Sequence, residues 1–199
     1  MRFIETIKIE NGRIVNPDLH IERAYNTVYH HFHIKRFFDF ESVIPDKSPY
    51  NNGIYKLRVI YSSGIECFSI SPYELKPVRS LQIVDGSKID YGFKYEDRSE
   101  IESLRSLRGD CDDILMVRDG FITDTSYSNI IFSDGVQIFT PSTFVLNGTK
   151  RRGMLLAGLI HEKEIRIEDV HKYKVCWMIN AMLDISYSPP IPCSSIVIP

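Results

Sequence analysis

Three residue groups in this chain could do chemistry. The stretch "DYGFKYEDRSE" (residues 90–100) sets Lys94 between an aromatic pair and a charged turn. The stretch "TDTSYSN" (123–129) begins a dense polar run at Asp124 within otherwise apolar strands. A carboxylate on a buried strand costs several kcal/mol to desolvate unless something cationic pairs with it, and a protonated pyridine nitrogen is one such partner. The stretch "LNGTKRR" (146–152) places Gly148 and Thr149 at the start of a helix, just ahead of Lys150 and Arg151. Backbone N–H groups there, with the positive end of the helix dipole, suit a phosphate. Read singly, each has an ordinary structural role: a solvated lysine, a buried polar pair, a helix cap. Taken together they are what a pyridoxal phosphate enzyme requires. The lysine forms the Schiff base and moves the proton, the acid keeps the pyridinium charged, and the helix start holds the phosphate.

The elements that position these groups follow from periodicity and turn chemistry. "FIETIKI" and "RIV" read as strands around Asn11-Gly12, a pair that supplies the positive φ angles of a tight hairpin. "NPDLHIERAYNTVYHHFHIKRFF" (16–38) reads as one helix, capped by Asn16 with Pro17 in its first turn. "IPDKSPYNNG" is a loop, and "IYKLRVIYSSGIECFSISPY" is a hairpin about Ser63-Gly64. A strand restarts at "SLQIVDG". A helix follows over "DRSEIESLRSLRG", with Asp97 or Ser99 as cap and Gly109 as terminator. Residues 113–141 form a β meander with turns at Asp119-Gly120 and Asp134-Gly135. "TKRRGMLLAGLIHEK" is a further helix, and "KVCWMINAMLDI" is a buried strand with a polar tip at Asn180. The expectation is a mixed α+β protein of two small lobes, residues 1–78 and 79–199.

Composition closes off several classes. A formal charge of −2 offers no field for nucleic acid or an anionic membrane. No run approaches the roughly 18 to 20 apolar residues of a membrane span, and the charged N-terminus lacks a signal-peptide core. Cys67, Cys111, Cys176 and Cys193 are widely spaced, which suggests buried reduced thiols in a cytoplasmic protein. His30, His31 and His33 lack metal-ligand spacing and read as surface or interface residues, and no metal is expected. Arg105 and Arg108 read as a solvated helix face. Neither a dinucleotide fingerprint nor a P-loop is present.

The order of these motifs resembles the class IV aminotransferases, the fold-type IV pyridoxal phosphate enzymes, over nearly the whole chain. The matching residues are Glu5-Thr6, His20 and Arg23, Lys94 in "FKYEDR", Asp124, Asn129-Ile130-Ile131, Thr140-Pro141, and Leu146 through Arg151. The resemblance implies that Lys94 is the Schiff-base lysine and acid/base, and that Asp124 pairs with the pyridine nitrogen. It implies further that Arg23 contacts the phosphate and that Thr149 and Lys150 bind it through backbone N–H groups, next to Gly148 and Asn129. Asn180 and Ala181 then face the substrate. Asp124 stands where the family has Glu, Thr149 where an aliphatic residue is usual, and Ile131 where an aromatic is. The chain also begins at "FIET", without the leading strand of most members. Within the family, "WMINAMLDI" and "FKYEDR" look most like aminodeoxychorismate lyase, which converts 4-amino-4-deoxychorismate to 4-aminobenzoate and pyruvate in folate biosynthesis. A branched-chain or D-amino-acid transaminase using 2-oxoglutarate and a truncated, non-catalytic binding module are the alternatives. The resemblance also implies a small-molecule amino substrate and a homodimer.

Overall fold

The computed structural model describes residues 1–44 and 46–198. It has two compact units, Met1–Glu74 with Phe93–Asp97, and Leu75–Gly92 with Arg98–Pro199. The lobes expected at 1–78 and 79–199 share most of their length with these units and differ at residues 75–78 and 93–97. The class is mixed α+β, as expected.

The first unit is a four-stranded antiparallel sheet in the order β2-β1-β3-β4, with one helix on one face. Its elements are β1 (Phe3–Glu10), β2 (Arg13–Ile14), α1 (Pro17–Phe32), β3 (Ile54–Tyr61) and β4 (Ile65–Pro72). Asn11 and Gly12 take φ of 49° and 77°, the turn geometry the Asn-Gly pair predicts. Side chains alternate across β1, so Phe3, Ile7 and Ile9 face Ala24 and Val28 of α1, together with Leu57, Val59 and Tyr61 of β3. The segment after residue 92 joins this unit by running beside the start of β1. Ile4 N–H donates to the Lys94 carbonyl at 2.9 Å, Glu96 N–H donates to the Arg2 carbonyl at 3.0 Å, and Phe3 bridges to Tyr95.

Helix α1 ends at Phe32, six residues before the expected end. His33 adopts a left-handed conformation (φ 57°) and its N–H returns to the Tyr29 carbonyl. Phe38 and Phe40 then bury at a spacing of two, the period of extended chain, and so leave the helical register. Asn16 does not cap through its side chain; it too is left-handed, which suits Asn and avoids the helical region disfavoured before Pro17.

The second unit contains β5 (Leu81–Asp85), α2 (Ser99–Arg105), β6 (Asp113–Arg118), β7 (Phe121–Thr125), β8 (Asn129–Ser133), β9 (Ile138–Pro141), α3 (Thr149–Leu156), β10 (His161–Lys163), β11 (Val175–Ile179), β12 (Ile191–Pro192) and β13 (Ile196–Val197). The strand path is β10-β9-β8-β7-β6-β5-β13, and β11 adds to β8 with β12 beyond it. The expected meander is β6 to β9. Helix α3 stops at Leu156, short of the expected Lys163. Gly158 turns left-handed (φ 67°) and His161–Lys163 pairs in parallel with β9. The N-cap of α2 is Arg98, not Asp97 or Ser99, and makes no side-chain cap bond.

Other expectations need correction. Cys176 and Cys193 are buried, but Cys111 is half-buried and Cys67 lies exposed on the edge strand β4. Arg105 is not simply solvated: it donates through Nε to Asp113 Oδ1 at 3.2 Å, and Asp113 is wholly buried. His31 is half-buried, with ring centroids 4.9 Å from Phe3 and 4.5 Å from Phe93, while His30 and His33 are exposed. Among the described residues no helix is long and apolar enough to cross a membrane.

Candidate active site

In the second unit the hairpin of β7 and β8 is pinned beside its turn by the pair Asp124 and Asn129. Asp124 is 5% exposed. Its Oδ1 accepts from Asn129 Nδ2 at 2.7 Å, and its Oδ2 accepts the N–H groups of Val145 and Leu146, both at 2.9 Å. Burial nonetheless pushes its pKa up to about 6, against the opposing effects of those donors and of the Arg151 charge. The carboxylate is thus well oriented and short of positive charge.

Arg151, the arginine of the "LNGTKR" motif, explains how the donors reach Asp124. It is 1% exposed, and its guanidinium donates to Asn147 Oδ1 (3.0 Å), the Pro141 carbonyl (3.1 Å) and Glu162, while lying 4.3 Å over the Phe144 ring. These contacts tie down the 141–147 loop that presents the Val145 and Leu146 N–H groups. The motif was visible in the sequence, but this role was not.

Gly148 leads into α3 in an extended conformation and gives the helix no side-chain cap. Asn129 Nδ2 also donates to the Leu146 carbonyl at 2.8 Å, so the Asn129 side chain fills the space beside Gly148. A Cβ at Gly148 would stand 2.2 Å from Asn129 Oδ1, which only glycine avoids. Thr149 is buried. The Lys150 ammonium pairs with Asp184. Burial acts to raise the Asp184 pKa, but Lys150 and Ser186 outweigh it and hold the carboxyl below its ordinary value. The Lys150 side chain is therefore engaged away from the helix start, and what it can offer a phosphate is its backbone.

Asn180 follows β11 and organises the turn beyond it. Its Oδ1 accepts the N–H groups of Met182 (2.8 Å) and Leu183 (3.0 Å), and its Nδ2 donates to Ser128 Oγ at 2.8 Å. Ser128 belongs to the turn between β7 and β8, where it exchanges bonds with Thr125. Ala181 is half-buried on the same loop. Asp124, Asn129, Gly148, Thr149, Lys150, Asn180 and Ala181 are thereby gathered in one unit by a continuous set of contacts.

Arg23 and Lys94 belong to the first unit. Arg23 donates through Nε and Nη2 to Glu5 at 2.8 and 2.5 Å, and His20 Nδ1 lies 2.6 Å from the same carboxylate. Burial alone would raise the pKa of Glu5, which has no exposed surface; Arg23 and His20 prevail and lower it to about 2. Burial holds His20 below its usual value, and the nearby Lys94 charge adds to that. Thr27 Oγ1 donates to the Arg23 carbonyl at 2.8 Å. The "ET" and "H-x-x-R" matches are thus two ends of one buried ion network. Lys94 itself is half-buried, with its backbone fixed by the bond from Ile4.

The family model for amino-transferase class IV matches residues 101–187. An uncharacterized protein of Haemophilus influenzae is 36% identical over 181 residues, covering 89% of this chain and 96% of that protein. The crystal structure of a proposed 4-amino-4-deoxychorismate lyase from Haemophilus somnus is 31% identical and covers 91% of this chain and 96% of its own, with a TM-score of 0.85. A hypothetical aminotransferase of Mycobacterium tuberculosis in its PLP-bound form shares the fold, with a TM-score of 0.74 at 15% identity over 98% of this chain and 81% of that one. The chain belongs to the class IV aminotransferase family, whose members are pyridoxal phosphate-dependent lyases and transaminases.

The residues present fit that cofactor on two counts. Asp124 is a buried carboxylate whose charge a neighbouring cation would relieve. The start of α3 is left without a side-chain cap beside a glycine that the packing requires.

Proposed function

We propose that this protein is a pyridoxal phosphate-dependent 4-amino-4-deoxychorismate lyase, releasing pyruvate and 4-aminobenzoate. The observation that carries the reading is the match to the proposed lyase of Haemophilus somnus, at 31% identity over nearly the full length of both chains. The cofactor, when bound, supplies a ring that takes up the electron pair left when the amine-bearing carbon loses its proton. Lys94 provides the amine that binds the cofactor covalently and then carries that proton. Asp124 provides the fixed negative charge beside the ring nitrogen, and its hydrogen bonds from Val145, Leu146 and Asn129 leave it no freedom to turn away. The N–H groups at Thr149 and Lys150 and the guanidinium of Arg23 supply donors and positive charge for the phosphate. Asn180 shapes the loop that meets the substrate, with its own amide spent on Ser128, Met182 and Leu183.

Loss of the enolpyruvyl group makes the ring aromatic, so the reaction needs no second substrate. That separates it from a transaminase of the same family. The test is to supply the PLP-loaded protein with 4-amino-4-deoxychorismate and no oxo acid. The expected result is pyruvate and 4-aminobenzoate in equal amounts. Glutamate formed from 2-oxoglutarate and a branched-chain or D-amino acid, with no pyruvate from the first substrate, would instead assign a transaminase.

A further inference from the structure

The loop that carries Asn180 and Ala181 is stiffened by its own bonds and fastened to α3 by a side chain that the proposed reaction does not use. Asn180 Oδ1 takes the N–H groups of Met182 and Leu183, and Leu183 N–H also donates to the Asn180 carbonyl at 3.1 Å. Tyr187 Oη donates to the Met182 carbonyl at 2.8 Å, and Ser188 N–H donates to the Asp184 carbonyl at 2.8 Å. The Asp184 side chain joins the two regions. Its Oδ1 accepts the N–H and the hydroxyl of Ser186, both at 3.2 Å, and its Oδ2 takes the ammonium of Lys150. One carboxylate therefore grips both the loop and the first turn of α3.

That first turn reads Thr149-Lys150-Arg151-Arg152, three cations and no acid. Cations are unfavourable there, because the positive end of the helix dipole favours negative charge. Arg151 meets Glu162, and Lys150 meets Asp184, which is 34 residues further along the chain. The side chains of the Lys150–Asp184 pair are 22% and 30% exposed, so water and salt screen it less than a surface pair. Helical side chains lean towards the N-terminus of their own helix. Without Asp184, the Lys150 ammonium can therefore turn back over the N–H groups of Thr149 and Lys150. Asp184 stands one lysine side chain from those groups, and its own charge is cancelled there while Lys150 is paired with it.

We propose that Asp184 is a positioning residue with two tasks: it anchors the 180–184 loop on α3, and it keeps the Lys150 ammonium from adding to the phosphate site at the start of that helix. The inference rests on the proposed reading for the phosphate at α3 and for the substrate beside Asn180. It does not depend on which amino compound the protein transforms. In the wild type the pair adds no net charge beside the phosphate. Removing the carboxylate leaves an extra positive charge there, and removing the ammonium leaves an extra negative one. Either change releases the loop. A pair that merely holds the structure together has no such difference in sign.

Two measurements on Asp184→Asn, Lys150→Gln and Asp184→Glu read these tasks separately. The dissociation constant for pyridoxal phosphate comes from the visible band of protein equilibrated with graded concentrations of the cofactor. Asp184→Asn should bind it about fivefold more tightly than wild type, and Lys150→Gln about fivefold more weakly. Hydrogen exchange of the loaded proteins, followed by mass spectrometry, reads the loop. Peptides covering 180–188 should exchange at least about 10-fold faster in both variants, with the β7–β8 hairpin as internal reference. Asp184→Glu keeps the ion pair and should stay within about twofold of wild type on both measures. Circular dichroism checks that each variant is folded. Cofactor affinities that move in the same direction in Asp184→Asn and Lys150→Gln, or loop exchange unchanged in both, overturn the proposal. A wild type that shows no band refutes the cofactor reading and the proposal with it. Failure of the lyase reading looks different: the opposed affinities persist while no pyruvate forms from 4-amino-4-deoxychorismate.

Discussion

At the scale of single residues, Asp124 carries a desolvation cost that protonation or a neighbouring cation relieves. Its folded-state pKa of about 6 lies above the roughly 3.9 of an unfolded aspartate, so the folded state holds this proton more tightly. Stability from this group is therefore greatest at low pH. It falls as pH rises from about 4 to about 6, by roughly 3 kcal/mol in all, and stays low above that. Asp124→Asn removes the titration. In urea melts of the cofactor-free protein, the stability of the variant relative to wild type should rise across that window, whatever constant offset the altered hydrogen bonds add. A flat difference would contradict the account. Glu5 has the opposite sign: with its pKa lowered to about 2, its contribution is present above roughly pH 4.3 and is lost as pH falls towards 2. Gly148→Ala sets a methyl against Asn129 and should cost about 1–3 kcal/mol in the same melts, although the φ of −65° at Gly148 suits alanine. An unchanged midpoint would mean that Asn129 gives way freely.

Between elements, the contacts that matter join residues far apart in sequence, which sets what the sequence could disclose. Hairpins at Asn11-Gly12 and Asp119-Gly120 were legible because their turn chemistry is local. So were the meander and the polar tip at Asn180. The ends of α1 and α3 were not, because apolar residues continue past both helices and His33 and Gly158 stop them by backbone conformation. The motif residues were legible as candidates, but their partners were not: His20 and Arg23 meet Glu5 from 15 and 18 residues away, and Lys150 meets Asp184 from 34. No local pattern encodes such pairs. Arg151 is the sharpest case, since it holds the loop that supplies two of Asp124's three donors. Arg151→Ala should destabilise the protein by roughly 3–5 kcal/mol, as expected on emptying a buried ionic site. With those donors loosened, the Asp124 pKa should also climb, moving the pH window defined above to higher values. Arg151→Lys should recover part of both effects. Destabilisation with the window unmoved would show that Arg151 packs the core without orienting Asp124.

For the molecule as a whole, the chain passes from the first unit into the second at Leu75, returns for Phe93–Asp97, and leaves again. That return was not legible from residues 90–100, because it depends on the pairing of Lys94 and Glu96 with the start of β1. The brief return is also what puts Lys94 in the same unit as the Glu5, His20 and Arg23 network. The central claim is that this lysine carries pyridoxal phosphate. The most direct measurement is borohydride reduction of the protein after incubation with pyridoxal phosphate, followed by mass spectrometry of its peptides, on wild type and Lys94→Ala. The account predicts loss of the visible absorption band on reduction and a single pyridoxyl label on Lys94, with neither band nor label at that peptide in the variant. A label on other lysines that survives Lys94→Ala, or a protein that takes up no cofactor at all, would contradict it.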